Sequence, residues 1–288
     1  MLLPQDVKWL QVENTTQCNA WCPACGRNQD GYGLAQDLVV QDLDLQRFQQ
    51  VLEQFPNLET IQFCGTYGDT MAAQNVLEQV SLAKKHCKKI QIHTHGGIRS
   101  KRWWSEFAVL LKDIEHDVWF ALDGLKGVHE IYRQGTDFDK TIANARSFIS
   151  AGGQATWQFI PWAHNEHQIQ DCMRLSQQLG FKKFKFVFSV RKEFQGRHWQ
   201  TGQPIEFRPW NRDSVLNPLI QKKVRLEEKN CHHLTQSSLY LNANGSFNVC
   251  CYFNTHQSSP QIDQLHNIRQ LNTLSQVPTN CIKWCGSA

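Results

Sequence analysis

The chain has 288 residues, of which 41% are hydrophobic and 19% are charged, and its formal net charge at pH 7 is +4. This hydrophobic share is ordinary for a globular protein and argues against wholesale disorder. The length allows one large domain, or a large domain with a small one. Lysine and arginine are scattered along the chain, so the sequence lacks the basic stripe of a nucleic-acid-binding protein.

The first residues do not resemble a signal peptide, because Met1–Asp6 contain no basic segment and no long apolar stretch follows. The longest apolar runs, such as Val118–Leu122, are too short to cross a bilayer. These features predict a soluble, cytoplasmic protein without a membrane partner. The chain contains 11 cysteines, and in that setting clustered cysteines favour metal or redox chemistry over a disulfide framework.

Short apolar segments alternate with segments of helical spacing as far as Val190. The predicted strands are Trp9–Glu13, Glu59–Cys64, Lys89–Thr94, Asp117–Leu122, Gln154–Ile160 and Lys183–Phe188. Asn165 followed by Gln168 predicts a helix N-cap with its capping-box partner. The repeated βα pattern predicts a parallel sheet, either doubly wound or curled toward a barrel. In such folds the loops after the strands carry the chemistry.

The first predicted strand is followed by Cys18, Cys22 and Cys25, with the spacing C-x3-C-x2-C. Three thiolates on one tight loop can hold three irons of a [4Fe–4S] cube and leave the fourth iron open to an exogenous chelate. Structural zinc is the alternative, but it usually takes four protein ligands, often as two closely spaced pairs. A lone triplet therefore favours iron and sulfide.

This spacing, followed by repeated βα units, resembles the radical S-adenosylmethionine (SAM) superfamily. The resemblance implies a partial (β/α)6 barrel and a [4Fe–4S] cluster whose unique iron binds the amino and carboxylate groups of SAM. In that family, an electron from the cluster cleaves SAM to a 5′-deoxyadenosyl radical that abstracts hydrogen from a substrate. The resemblance also implies an external electron donor such as flavodoxin or ferredoxin.

A glycine-containing turn after the second predicted strand resembles the Gly-Gly-Glu turn that meets the SAM amino group in this family. Its residues here are Gly65, Thr66, Tyr67, Gly68 and Asp69. Glycine lets a backbone approach a ligand closely, and the carboxylate of Asp69 could contribute to binding the ammonium of SAM. Asp in place of Glu is the departure from the family pattern.

Two later segments also resemble family motifs. After the third strand, His95 stands where relatives often have Asn, and we expect it either to cap the next helix or to line the pocket. Asp123 and Arg133 belong to segments that resemble an Asp-Gly and a Tyr-Arg-x-Gly motif. The family pattern makes Asp123 a cofactor contact and Arg133 a candidate for the SAM carboxylate, which a guanidinium can bind in bidentate fashion.

Residues 191–230 show little periodicity and are predicted to be a connector. Beyond them, Asn242–Gly245 predicts a turn joining Leu239–Leu241 to Phe247–Val249 as a hairpin. Cysteines stand on either side of this hairpin and near the end of the chain. The arrangement resembles the SPASM/twitch module, and it implies an auxiliary [4Fe–4S] cluster on Cys231, Cys250, Cys281 and Cys285.

Two alternatives stay open for this region: Cys251 could replace Cys250, and four thiolates also suit structural zinc. We expect a radical SAM core over residues 1–215 and an auxiliary-cluster module over residues 216–288.

Together these features predict a SAM-dependent radical oxidoreductase with two [4Fe–4S] clusters. A peptide or protein side chain is the expected substrate, for oxidation, crosslinking or epimerisation, because enzymes with this arrangement often modify peptides. The 10 tryptophans also suit a larger partner, since Trp is favoured at binding hot spots. The alternatives are dehydrogenation of a small molecule, such as a sugar, amino alcohol or nucleoside, and a zinc-stapled interaction protein without enzymatic activity.

Overall fold

The computed structural model describes residues 3–187, 193–210 and 237–248. Strands and helices in these ranges alternate in the order that the sequence predicts. The strands are β1 (Trp9–Val12), β2 (Thr60–Phe63), β3 (Lys89–Thr94), β4 (Glu115–Ala121), β5 (Ala155–Phe159), β6 (Lys183–Phe186), β7 (Phe194–Arg197), β8 (Pro204–Phe207), β9 (Ser238–Leu241) and β10 (Phe247–Asn248). The α-helices are α1 (Leu45–Glu53), α2 (Val76–Ala83), α3 (Lys101–Leu111), α4 (His129–Tyr132), α5 (Phe138–Ser150) and α6 (Ile169–Gln178).

Eight strands form one sheet in the order β10-β9-β1-β2-β3-β4-β5-β6. All neighbours from β9 to β6 pair in parallel, and only β10 runs antiparallel to its neighbour β9. The predicted α/β architecture with six βα strands is therefore confirmed. Because the strands are parallel, the loops that follow them gather at one edge of the sheet.

The two faces of the sheet differ sharply in polarity. Leu10 and Val12 of β1, like Val118 and Phe120 of β4, are buried in the main hydrophobic core with the helices. Side chains alternate between faces along a strand, so Gln11 and its counterparts on other strands lie on the opposite face. A parallel sheet covered by helices on both faces would be apolar throughout. The polar inner face indicates that this side of the sheet serves a site.

Asn165 stands at the N-cap position of the 3₁₀ helix Glu166–Gln168, as predicted, but it is fully buried and its side chain makes no capping hydrogen bond. Its Oδ1 accepts from the amide of Trp162 at 2.7 Å, and its Nδ2 donates to the carbonyls of Asp123 and Ile160. Buried backbone groups need hydrogen-bond partners, and Asn165 supplies them to the loops after β4 and β5. A short 3₁₀ helix at Glu166–Gln168 then leads into α6.

The predicted hairpin near residue 242 is confirmed as β9 and β10, with Gly245 at a φ of 81° in the turn. The structure adds that β9 pairs in parallel with β1, which the sequence pattern did not indicate. A second hairpin, β7–β8, occupies the described part of the predicted connector. No helix in the described ranges is long and apolar enough to span a membrane.

Candidate active site

The three cysteines of the predicted cluster lie on the loop that follows β1. Cys22 is buried, while Cys18 and Cys25 are partly buried, and none of the three forms a disulfide. The backbone amide of Ala20 donates to Cys18 Sγ at 3.3 Å, and that of Arg27 donates to Cys25 Sγ at 3.4 Å. Hydrogen bonds of this kind favour a charged sulfur, so the loop is built to hold thiolates.

Burial disfavours the negatively charged thiolate form of these cysteines unless a cation is bound nearby. It raises the pKa of Cys22 to about 11, and the neighbouring Cys25 and Asp123 add to the shift while Arg133 opposes it. The pKa of Cys18 is also raised, by burial and then by the charge of Asp69. Metal binding requires deprotonated thiols, so loading this loop would release protons.

In the part of the chain that the structure describes, no three His, Cys, Asp or Glu side chains are grouped to hold a single metal ion. A [4Fe–4S] cube makes a different demand, because each thiolate binds its own iron. Three cysteines on one loop, none in a disulfide and two of them accepting amide hydrogen bonds, fit such a cube.

A second hydrophobic cluster encloses this loop. Cys22 packs in it with Tyr132 from α4, Trp162 from the loop after β5, and Phe207 from β8. The hairpin approaches so closely that a Cβ on Gly196 would lie 2.4 Å from Pro23 Cβ. These contacts remove water from one side of the cysteine loop.

The Gly65–Asp69 turn packs directly against the start of the cysteine loop. A Cβ on Gly68 would lie 1.9 Å from the carbonyl oxygen of Thr15, so only glycine fits there. The amide of Asp69 donates to the carbonyl of Gln17 at 2.8 Å. The turn and the cysteine loop thus form one packed unit, at the place where the sequence predicts the cluster and SAM.

The carboxylate of Asp69 already has protein partners. It accepts from Thr94 Oγ1 at 2.8 Å and from the amide of His95 at 2.7 Å. The ring of His95 lies 2.8 Å from Asn19 Oδ1, while Ser100 is the N-cap of α3. His95 therefore links the cysteine loop to Asp69 instead of capping the helix. The ammonium-binding role of Asp69 stays a prediction.

Glu13 is a site residue that the sequence reasoning missed. It directly follows β1, is 2% exposed, and its Oε1 accepts from the amide of Tyr67 at 2.6 Å. Burial raises its pKa to about 7, although the amides of the glycine turn and the hydroxyl of Tyr240 lower it. The available signal was an acidic residue at the end of a predicted strand, on the same face as Gln11.

Asp123 and Arg133 form a buried ion pair, with Arg133 Nε 2.6 Å from Asp123 Oδ2. Arg133 Nη1 also lies 3.8 Å from Cys22 Sγ. Burial lowers the pKa of the guanidinium, but Asp123 and Cys22 outweigh it and raise the pKa overall. The structure thus places Arg133 beside a predicted cluster ligand, with Asp123 fixing its orientation.

Gln62, Gln91 and His93 form a patch of uncharged hydrogen-bonding groups on the inner face of the sheet below this loop. Asp117, on the same face, pairs with Lys183. His93 Nε2 lies 3.0 Å from Gln62 Nε2 and 2.9 Å from Gln91 Nε2, and its ring stacks on Trp119 at 4.6 Å. Burial lowers the pKa of His93 to about 4, so the ring is neutral near pH 7. This wall can recognise polar groups without attracting ions.

The predicted auxiliary-cluster ligands, Cys231, Cys250, Cys281 and Cys285, lie outside the described residues, as does Cys251. The hairpin between them is described and reaches the site. Tyr240 Oη lies 3.2 Å from the amide of Thr66 and 3.0 Å from its hydroxyl. The C-terminal part of the chain therefore contacts the glycine turn.

No protein-family model and no curated protein matches this chain. Its fold does match solved structures. SuiB of Streptococcus suis, in a structure bound to S-adenosylmethionine, has a TM-score of 0.67 at 12% identity, over 99% of this chain and 73% of SuiB. The same protein bound to its precursor peptide SuiA has a TM-score of 0.66 at 12% identity, over 99% and 72% of the two chains.

A further match is anSMEcpe with bound AdoMet and Cp18Cys peptide. Its TM-score is 0.61 at 15% identity, over 97% of this chain and 87% of that one. SuiB and anSMEcpe are radical SAM enzymes. At these identities the likeness concerns the fold, and it agrees with the cysteine loop and the parallel sheet described above. This chain has the fold of the radical SAM superfamily.

Proposed function

We propose that this protein is a SAM-dependent radical enzyme that uses Cys18, Cys22 and Cys25 to hold a [4Fe–4S] cluster. The observation that carries the proposal is the arrangement of three cysteines outside any disulfide on the loop after β1, packed against the glycine turn after β2. The radical SAM fold supports it independently of the cysteines.

When bound, the cluster and SAM would supply a 5′-deoxyadenosyl radical that abstracts hydrogen from the substrate. The chain's own residues bind and orient. Gly68 lets the turn pack against the cysteine loop, and this brings the carboxylate of Asp69 near the proposed ammonium site. Arg133 is held through Nε by Asp123. Its two Nη groups are the ones suited to bind the SAM carboxylate.

We further propose a peptide or protein side chain as the substrate. SuiB has been captured with a precursor peptide and anSMEcpe with a Cp18Cys peptide, on the fold shared by this chain. The neutral wall of Gln62, Gln91 and His93 supports the same class, because amide and imidazole groups pair with the polar groups of a peptide. A small-molecule substrate is the second candidate, since the same wall could bind hydroxyl groups.

The C-terminal cysteines would hold the auxiliary [4Fe–4S] cluster. As an electron acceptor, that cluster would make the reaction an oxidation. If it only shapes the pocket, the outcome would be redox-neutral. The division into a core of residues 1–215 and a module of residues 216–288 belongs to this proposal, as does an external electron donor.

The test is replacement of Cys18, Cys22 and Cys25 together by Ala, in protein reconstituted anaerobically with iron and sulfide. The change should remove about four irons per chain, the content of one cube, and abolish 5′-deoxyadenosine formation. Residual iron should then disappear when Cys281 and Cys285 are also replaced.

A matched control is Cys172→Ala, which removes a buried thiol from the hydrophobic core of α6. That variant should keep its iron and its SAM cleavage. Normal SAM cleavage by the triple variant would refute the proposed function. Stoichiometric zinc in anaerobically purified protein would instead support the zinc-stapled alternative.

A further inference from the structure

A cavity of about 440 Å³ opens beside Cys18, between the cysteine loop and the loops that follow β2 and β3. We call it the Cys18 pocket. Its charged lining residues are Arg27, Arg99 and Lys140, and among the residues described around it no Asp or Glu lines the wall. Three cationic side chains around one concave surface create a strongly positive local potential.

Arg27 is the most deeply placed of these cations, at 6% exposure. Its Nε donates to the carbonyl of Thr16 at 3.2 Å, and its guanidinium lies 5.9 Å from the ring centroid of Trp21. Its Nη1 is buried and has no hydrogen-bond partner among the described residues. A buried charged donor without an acceptor is costly, and the charge of an anion in the pocket would stabilise this guanidinium from nearby.

The other two cations, Arg99 and Lys140, differ in their hydrogen bonds and in their exposure. Arg99 is fixed, because its Nε donates to the carbonyl of Met71 at 2.9 Å and its Nη2 to that of Ala73 at 2.6 Å. Lys140 is exposed in the first turn of α5. The neighbouring Asp139 is paired with Lys126. The pocket therefore combines two guanidinium groups held by hydrogen bonds with an exposed ammonium group, which suits a carboxylate arriving from solvent.

We infer that the Cys18 pocket is the docking site of an acidic one-electron donor protein, whose carboxylate side chain enters between Arg27, Arg99 and Lys140. The inference rests on the proposed function, since it assigns a partner to the proposed cluster. Cys18 itself lines the pocket. A donor docked here would stand next to a cluster ligand without entering the barrel, where substrate and SAM must meet.

In the transfer, the reduced cofactor of the donor loses one electron and the cluster gains it. No bond forms or breaks, and no proton has to move with the electron. The positive pocket would act mainly on the rate of encounter, because complementary charge accelerates association and its effect weakens with salt.

The test uses the full chain with its cluster reconstituted, and reduced flavodoxin as the donor. The rate of cluster reduction is followed anaerobically by stopped-flow absorbance and checked by electron paramagnetic resonance. Lys140→Glu should slow reduction by flavodoxin about tenfold at low salt, within the range expected for lost electrostatic steering. The difference from wild type should shrink as salt is added.

The matched control is Lys112→Glu, which makes the same charge change at an exposed position beyond the far end of α3. It should behave as wild type. Photoreduced 5-deazariboflavin, a small uncharged reductant that the pocket cannot attract by charge, should reduce wild type and both variants at the same rate. A loss specific to flavodoxin and to Lys140→Glu supports the inference.

Equal flavodoxin rates in Lys140→Glu and Lys112→Glu would overturn it. So would equal slowing with the uncharged reductant, because the cluster itself would then be altered. If Lys140→Glu spares reduction by flavodoxin but weakens binding of a capped tetra-aspartate peptide, the pocket belongs to an acidic substrate and the inference is wrong. Failure of the wild-type protein to assemble a cluster would show in its absorbance beforehand and would count against the proposed function.

Discussion

At the scale of single residues, the site depends on a histidine that lies outside the cysteine loop. His129 is fully buried, and its Nδ1 accepts from the amide of Asp123 at 3.1 Å. Its Nε2 lies 3.1 Å from Thr136 Oγ1. Nδ1 can accept only when it is unprotonated. The neutral ring therefore holds the backbone of Asp123, which in turn orients Arg133.

We expect this histidine to make stability depend on pH. Burial, with smaller effects of Arg133 and His95, lowers the pKa of His129 to about 3. The unfolded chain therefore binds more protons than the folded one below the ordinary histidine pKa of about 6.5. The contribution of His129 to the free energy of unfolding is complete above that pH. It falls as the pH is lowered, by about 2.5 kcal/mol between pH 7 and 4.5.

Urea unfolding of wild type and His129→Gln across this pH range measures the effect. The variant should be less stable at pH 7, yet lose less stability on acidification, because glutamine has no proton to gain. His93 and His164, whose pKa values burial also lowers, are present in both proteins and cancel in the comparison. Parallel pH profiles would show that His129 is not responsible.

At the scale of elements, the β7–β8 hairpin covers the cysteine loop. Phe194 and Phe207 stack at 5.0 Å, and Trp162 packs against both. Gly196 faces Pro23 with no room for a side chain. The hairpin therefore packs closely over one side of the cysteine loop and would shield that side of the proposed cluster from solvent.

Gly196→Ala should displace the β7–β8 hairpin from the cysteine loop. The new Cβ would lie 2.4 Å from Pro23 Cβ, and the rigid proline ring cannot yield easily. We expect a loss of about 1–3 kcal/mol in the free energy of unfolding, as for other overpacked sites. Iron should also be released faster to a chelator. Gln195→Ala, at the exposed neighbouring position, is the control; equal chelation rates in the two variants would mean that the hairpin does not protect the loop.

At the scale of the whole molecule, β9 unites the end of the described chain with its beginning. Leu241 pairs in register with Val12, and both are fully buried in the main core. Tyr240 reaches across to Thr66 in the glycine turn. The barrel core and the segment leading into the C-terminal region therefore share one sheet and one hydrophobic core.

Leu241→Ala should accordingly destabilise the whole barrel, by about 2–5 kcal/mol, the usual range for deleting a buried leucine side chain. Denaturant unfolding followed by tryptophan fluorescence measures this, because Trp104 and Trp157 are buried in the barrel core. Leu77→Ala, on the exposed face of α2, should change stability little. An unchanged denaturant unfolding transition in Leu241→Ala would mean that β9 does not contribute to the stability of the other strands.

The sequence by itself determined the order of the elements, because hydrophobic periodicity reflects which face of each strand or helix is buried. All six predicted βα strands are present, and the Asn242–Gly245 turn joins a hairpin as expected. Both results depend on local spacing alone. The C-x3-C-x2-C spacing likewise placed three thiols on one loop, since residues so close in the chain cannot be far apart.

Only the tertiary structure decided which distant groups meet. Glu13 binds the glycine turn, Arg133 lies between Asp123 and Cys22, and β9 pairs with β1. The side chain of Asn165 belongs to the same class, since it binds the carbonyl of the distant Asp123 and does not cap the helix that follows it. These contacts join parts of the chain that local pattern does not relate. They are selected by packing and by the need to pair every buried polar group, which is a property of the assembled fold.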